Sequence, residues 1–134
     1  MPGNFLDTNV LLYVASADPA KADRVEKLIG AGGMISVQVL NEITSVARRK
    51  MGMSRTETRA FLSMLRALLP VQPLTIDIHE TGLALAERYG LSIGDAMIAA
   101  SALHAYCDTL WSEDMQDGIV LDGRLRIVDP FRAP

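Results

Sequence analysis

Apolar and polar positions follow two patterns along this chain. In one, short apolar runs are bounded by turn residues. In the other, apolar residues return every third or fourth position, as on one face of a helix. The runs are Phe5-Leu6 in "NFLDTNVLLYV", then "MISV", Val71 to Leu74, "DTLWS" and "RLRIVDP". Each reads as a short buried strand. Between them lie the helical stretches. "DPAKADRVEKLIG" begins with Asp18 as N-cap and Pro19 at the first helical position, and Gly30 to Gly33 should end it. "QVLNEITSVARRK" carries an apolar stripe at Val39, Leu40, Ile43, Val46 and Ala47. "SRTETRAFLSMLRALL" opens with a capping box, Ser54 to Glu57. "DIHETGLALAERYG" stops at Gly90, and "SIGDAMIAASALHA" is apolar nearly all round, as a buried helix would be. Strands alternating with helices predict a three-layer α/β/α fold, with a central, mostly parallel sheet of about five short strands. Ligands in such sheets bind at the carboxyl ends of the strands.

Composition narrows the class. A chain of 134 residues, 49 % hydrophobic and 22 % charged, is globular and fits one domain, 1–134. No apolar stretch approaches a membrane span, and no secretory signal is visible. A lone cysteine, Cys107, agrees with a reducing, cytoplasmic setting. The net charge of −3 argues mildly against nucleic acid as partner, but its distribution matters more. Arg48, Arg49, Lys50, Arg55, Arg59 and Arg66 fall in one region whose only acid is Glu57, so a local basic surface on an acidic protein is one expectation. The plainer reading of these residues is a solvated helix face.

Four acids stand where the fold gives them no obvious structural use. Asp7 interrupts the first apolar run, where an ionised carboxylate is costly unless it is paired or bound to a metal. Glu42 falls at the edge of its helix's apolar stripe, and Asp95 sits in a helix otherwise built from Ile93, Ala96, Met97 and small residues. Asp114 follows the strand "DTLWS". Each has a plainer alternative. Asp7 and Asp95 suit helix caps, Glu42 a boundary position, and Asp114 an acidic turn with Glu113 and Asp117. Their shared place is the stronger argument. Asp7 and Asp114 end strands, and Glu42 and Asp95 lie early in helices that start at the same sheet edge. All four are expected in one cleft. Converged carboxylates repel, and the natural remedy is a hard divalent cation, Mg²⁺ or Mn²⁺. Such a centre activates water and neutralises charge on a phosphodiester.

"FLDTNVLLY", Glu42, "LSIGDAMIAASAL" and "LWSEDMQDG" together resemble a PIN-domain ribonuclease, most closely the VapC-like toxins of VapBC toxin–antitoxin pairs. The resemblance runs in order from Asn4 to Pro130. It implies Asp7, Glu42, Asp95 and Asp114 as catalytic, metal-holding acids, with Thr8, Asn9 and Ser112 as supporting polar residues. Asp117 is an alternative fourth acid. It further implies a Mg²⁺- or Mn²⁺-dependent endoribonuclease, a homodimer and an inhibitory antitoxin. Gly94 departs from the pattern, because relatives often carry a bulkier residue there. Arg48, Arg49, Lys50 and Arg55 are the expected contacts to the RNA backbone. Competing readings are a binding module with an idle metal site, a housekeeping nuclease and a phospho-acceptor domain. The last usually needs a lysine near the final strand, and here the lysines are Lys21, Lys27 and Lys50. His79 reads as a surface residue and Cys107 as core. No glycine-rich phosphate loop is present.

Overall fold

The computed structural model describes residues 3–132. Its elements, in chain order, are β1 (Asn4–Leu6), α1 (Thr8–Leu11) running into a 3-10 turn (Leu12–Ala15), α2 (Pro19–Gly30), β2 (Ile35–Ser36), α3 (Val37–Arg49), α4 (Arg55–Leu68), β3 (Val71–Gln72), α5 (Ile76–Tyr89), α6 (Ile93–His104), β4 (Thr109–Trp111), β5 (Val120–Leu121) and β6 (Leu125–Val128).

The helix boundaries follow the local chemistry. Asp18 caps α2 by accepting the Lys21 N–H, with Pro19 opening the helix. Ser54 and Glu57 complete a full capping box on α4. Gly90 ends α5 in the left-handed conformation, at φ 68°. α6 is the buried helix: Ala96 to Leu103 are all inaccessible or nearly so. β2 is shorter than "MISV" suggests, because the buried Ser36 caps α3 at once and Val37 is already helical.

Phe5, Leu6, Leu110 and Ile127, all fully buried, centre the core on a sheet of order β1-β4-β6-β5. β1, β4 and β6 are parallel and β5 is antiparallel to β6. β2 and β3 form a parallel pair, joined to β1 through a bridge between Met34 and Phe5. The count is six strands where about five were expected. The added one, β5, is a two-residue edge strand closed onto β6 by a turn in which Asp122 and Gly123 take φ of 49° and 68°.

The chain steps from β1 out to β2 and β3, then returns to β4 on the other side of β1. The order reverses between β1 and β4, and that reversal is where open α/β sheets leave a crevice.

Candidate functional site

Asp7 and Ser112 are the first residues past the ends of β1 and β4, so they flank this crevice. The Asp7 N–H donates to the Trp111 carbonyl, continuing the strand pairing into the site. Asp7 is only 2 % exposed, and its carboxylate is fully engaged. The Thr8 N–H donates to Oδ1 at 2.7 Å, while Ser112 Oγ and Asn9 Nδ2 donate to Oδ2 at 2.7 and 3.1 Å. Asp7 is therefore both the cap of α1 and a residue of the crevice; the two readings of the sequence coexist.

Glu42, one turn into α3, is drawn to the same place. Thr8 Oγ1 donates to its Oε1 at 3.0 Å, and Gln38 Nε2 to its Oε2 at 2.9 Å. Its carboxylate lies on the first turn of α6: a Cβ built on Gly94 would stand 2.6 Å from Glu42 Oε2. Glycine at 94 leaves the room that Glu42 fills. Asp95 follows directly. Its backbone N–H is bonded to the Ser92 cap at 3.2 Å, and its carboxylate, though acted on by the Ser92 hydroxyl, makes no return bond to the Ser92 backbone of the kind Glu57 gives Ser54. That leaves its half-buried carboxylate to the crevice.

The electrostatics tie these groups together. Burial, and then the charges of Asp95 and Glu42, push Asp7 up to about 7, against the lowering effect of the Ser112 and Thr8 bonds. Burial and the charges of Glu42 and Asp114 raise Asp95, with Ser92 opposing. Asp114, exposed on the loop after β4, is thus near enough to act on Asp95. Among the described residues no Lys or Arg forms an ion pair with any of these four acids. Nor do three of the Asp, Glu, His and Cys side chains stand close enough to enclose an ion by themselves. The all-oxygen, uncompensated donor set fits a hard cation that keeps much of its own water, as Mg²⁺ does, and not a dry cage.

The other expected residues divide. Asp117 accepts the Asp129 N–H at 2.8 Å, which ties it to the turn after β6. Arg48 and Arg55 line a groove of about 510 Å³ between α3 and α4, joined by Arg59, while Arg49 and Lys50 do not line it. Cys107 is buried, His79 is exposed, and His104 pairs with Thr81 at 2.8 Å. Sequence reasoning missed Gln38, whose place four residues before Glu42 on the same helical face was a usable signal. It also missed Glu113 as the partner of Lys21 and Tyr13, which nothing local announces.

This geometry, acids at the switch point of a mostly parallel sheet, defines an α/β domain with an acidic crevice. Residues 5–116 match the PIN domain family, and the chain belongs to it. PIN domains as a family are nucleases, and they generally use divalent metal ions. Solved structures with the same fold include a toxin-antitoxin complex from Klebsiella pneumoniae, 22 % identical over 97 % of this chain and 99 % of that one, with a TM-score of 0.72. DNA-bound VapBC from Salmonella typhimurium is 19 % identical, over 97 % and 99 %, with a TM-score of 0.74. Mycobacterium tuberculosis VapC20, a sarcin-ricin loop cleaving toxin, is 20 % identical over 83 % and 89 %, with a TM-score of 0.69. No curated protein matches the chain significantly by sequence. No described helix is long and apolar enough to cross a membrane.

Proposed function

We propose that this protein is a Mg²⁺- or Mn²⁺-dependent endoribonuclease and the toxin of a toxin–antitoxin pair, with Asp7, Glu42, Asp95 and Asp114 as its catalytic acids. The observation that carries the reading is Asp7: a carboxylate buried at the switch point, pushed upward by two further acids and given no cationic partner. Its three hydrogen bonds offset only part of the cost of that burial, and a divalent cation would offset the rest. Asp7, Glu42 and Asp95 would hold the ion, directly or through water, and Asp114 would assist from the loop. Bound there, the ion supplies charge neutralisation at the scissile phosphodiester and lowers the pKa of water.

The chain's own residues prepare that chemistry. Asn9 and Ser112 fix the orientation of Asp7 by donating to one oxygen, while the Thr8 hydroxyl and Gln38 fix Glu42. Outer bonds of this kind set where ligand oxygens point. The arginines of the α3–α4 groove supply the positive surface for the RNA backbone. The structural relatives include toxins solved with their antitoxins, and an antitoxin and a second copy of the chain are the partners this reading expects.

Cleavage of a mixed RNA pool tests the proposal. The purified protein is expected to cut in Mg²⁺ or Mn²⁺, to stop in EDTA, and to lose activity on Asp95→Asn, which removes charge with little change of shape. Cutting that persists unchanged in Asp95→Asn overturns the site assignment.

A further inference from the structure

The loop after β4 carries three acids in five positions, and only one of them acts on the crevice. Glu113 stands between Ser112, which bonds Asp7, and Asp114, which acts on Asp95. Both of its oxygens are engaged elsewhere. Tyr13 Oη donates to Oε1 at 2.7 Å, and Lys21 Nζ donates to Oε2 at 2.6 Å. Lys21 Nζ also reaches Tyr13 Oη at 3.2 Å, and it lies 4.6 and 4.7 Å from the ring centres of Tyr13 and Phe131. Those two rings meet edge to face, 5.0 Å apart. An exposed lysine pair is loose and worth little. Here the partly exposed ammonium meets the rings of Tyr13 and Phe131, the Tyr13 hydroxyl and the Glu113 carboxylate, and its backbone is fixed by the Asp18 cap.

This cluster is joined to the crevice by the main chain. The Glu113 N–H donates to Asn9 Oδ1 at 3.0 Å, and Asn9 Nδ2 donates to Asp7. One turn further along α2, Arg24 donates to the Pro130 carbonyl at 3.0 Å, and the Asp129 N–H beside it reaches Asp117. The first turns of α2 therefore hold the loop that carries Asp114 directly at Glu113, and reach Asp117 only through the turn at Asp129 and Pro130.

We propose that Lys21 is a positioning residue for the ion-binding crevice: by binding Glu113 it keeps that carboxylate turned to α2 and fixes the loop that bonds Asn9 and, through it, Asp7. This rests on the reading of the crevice as a divalent-cation site. Without Lys21, Glu113 has no cation to bind it, and the loop keeps its Tyr13, Asn9 and Asp129 bonds but loses its charged tie to α2. The Asn9 bond to Asp7 then loses its fixed backing.

The test is titration of the whole protein with MnCl₂ alone, followed by thermal unfolding, for wild type, Lys21→Met, Lys21→Arg and Glu113→Gln. Wild type is expected to melt higher as Mn²⁺ rises. Lys21→Met should need about tenfold more Mn²⁺ for the same gain, the usual size of an outer-contact effect on metal affinity. Lys21→Arg, which keeps the charge, should restore most of it. Glu113→Gln keeps the shape and carries the test if Lys21→Met does not fold; it should shift the Mn²⁺ midpoint in the same direction. A lysine that merely stabilises the fold lowers the melting temperature equally with and without Mn²⁺, and an unshifted Mn²⁺ midpoint in both variants overturns the proposal. A wild type that gains nothing from Mn²⁺ overturns the reading of the crevice itself, and this inference with it.

Discussion

Asp7 shows how one residue serves both fold and site. Its carboxylate caps α1, accepts from Asn9 and Ser112, and is nevertheless pushed up to about 7 by burial and by neighbouring acids. Its ordinary value is 3.8, so between these two values the folded state holds a proton that the unfolded state has released. The contribution of Asp7 to the metal-free fold is therefore complete below about pH 4 and is lost as pH rises through about 7. Asp7→Asn is expected to raise the melting temperature of the EDTA-treated protein at pH 8 and to have less effect at pH 5. A melting temperature unchanged at both values would contradict the burial cost. At this scale Asp7 could be singled out from sequence, since a charge inside an apolar run is visible without coordinates. The bonds that hold Asp7 and Glu42 were less legible. Gln38 had a helical-spacing signal, but Gly94 matters because the neighbouring Glu42 occupies the space of its missing side chain, and no local pattern records that.

The elements position these residues through their caps. Ser36 is wholly buried, ends β2, and accepts the Val39 N–H at 3.2 Å, so α3 starts at once and presents Gln38 and Glu42 to the crevice. Ser36→Ala removes that acceptor and is expected to cost about 1 kcal/mol, read as a lower denaturant midpoint with an unchanged slope. An unaltered midpoint would show that the cap is dispensable. Caps of this kind were legible in advance at Asp18, Ser54 and Gly90 because they are interactions within a few residues. β5 was not: two residues are too few for any periodicity, and its partner β6 decides its state.

At the scale of the whole molecule, a chain with a net charge of −3 keeps its crevice acids free of ion pairs with arginine among the described residues and carries a cluster of arginines between α3 and α4. The acids gather at the β1–β4 reversal, while Arg48, Arg55 and Arg59 line the groove between α3 and α4. If that groove carries the RNA backbone, replacing Arg48 and Arg55 by alanine removes two phosphate contacts. The slope of log affinity against log salt for single-stranded RNA should then fall by about 1.4. A slope that does not move would place the RNA elsewhere. The gathering of acids could be read from sequence because strand ends in a parallel sheet share one edge. The Lys21–Glu113 link could not, because it joins residues 92 positions apart whose encounter depends on the finished fold.

The central claim is that Asp7, Glu42 and Asp95 form a site for a divalent cation. Its most direct test is Mn²⁺ binding by calorimetry at pH 8, on the wild-type protein and on Asp7→Asn and Asp95→Asn. The account predicts binding by the wild type, with the affinity of both variants reduced to the point where no binding heat is seen. Equal binding by all three proteins would contradict it.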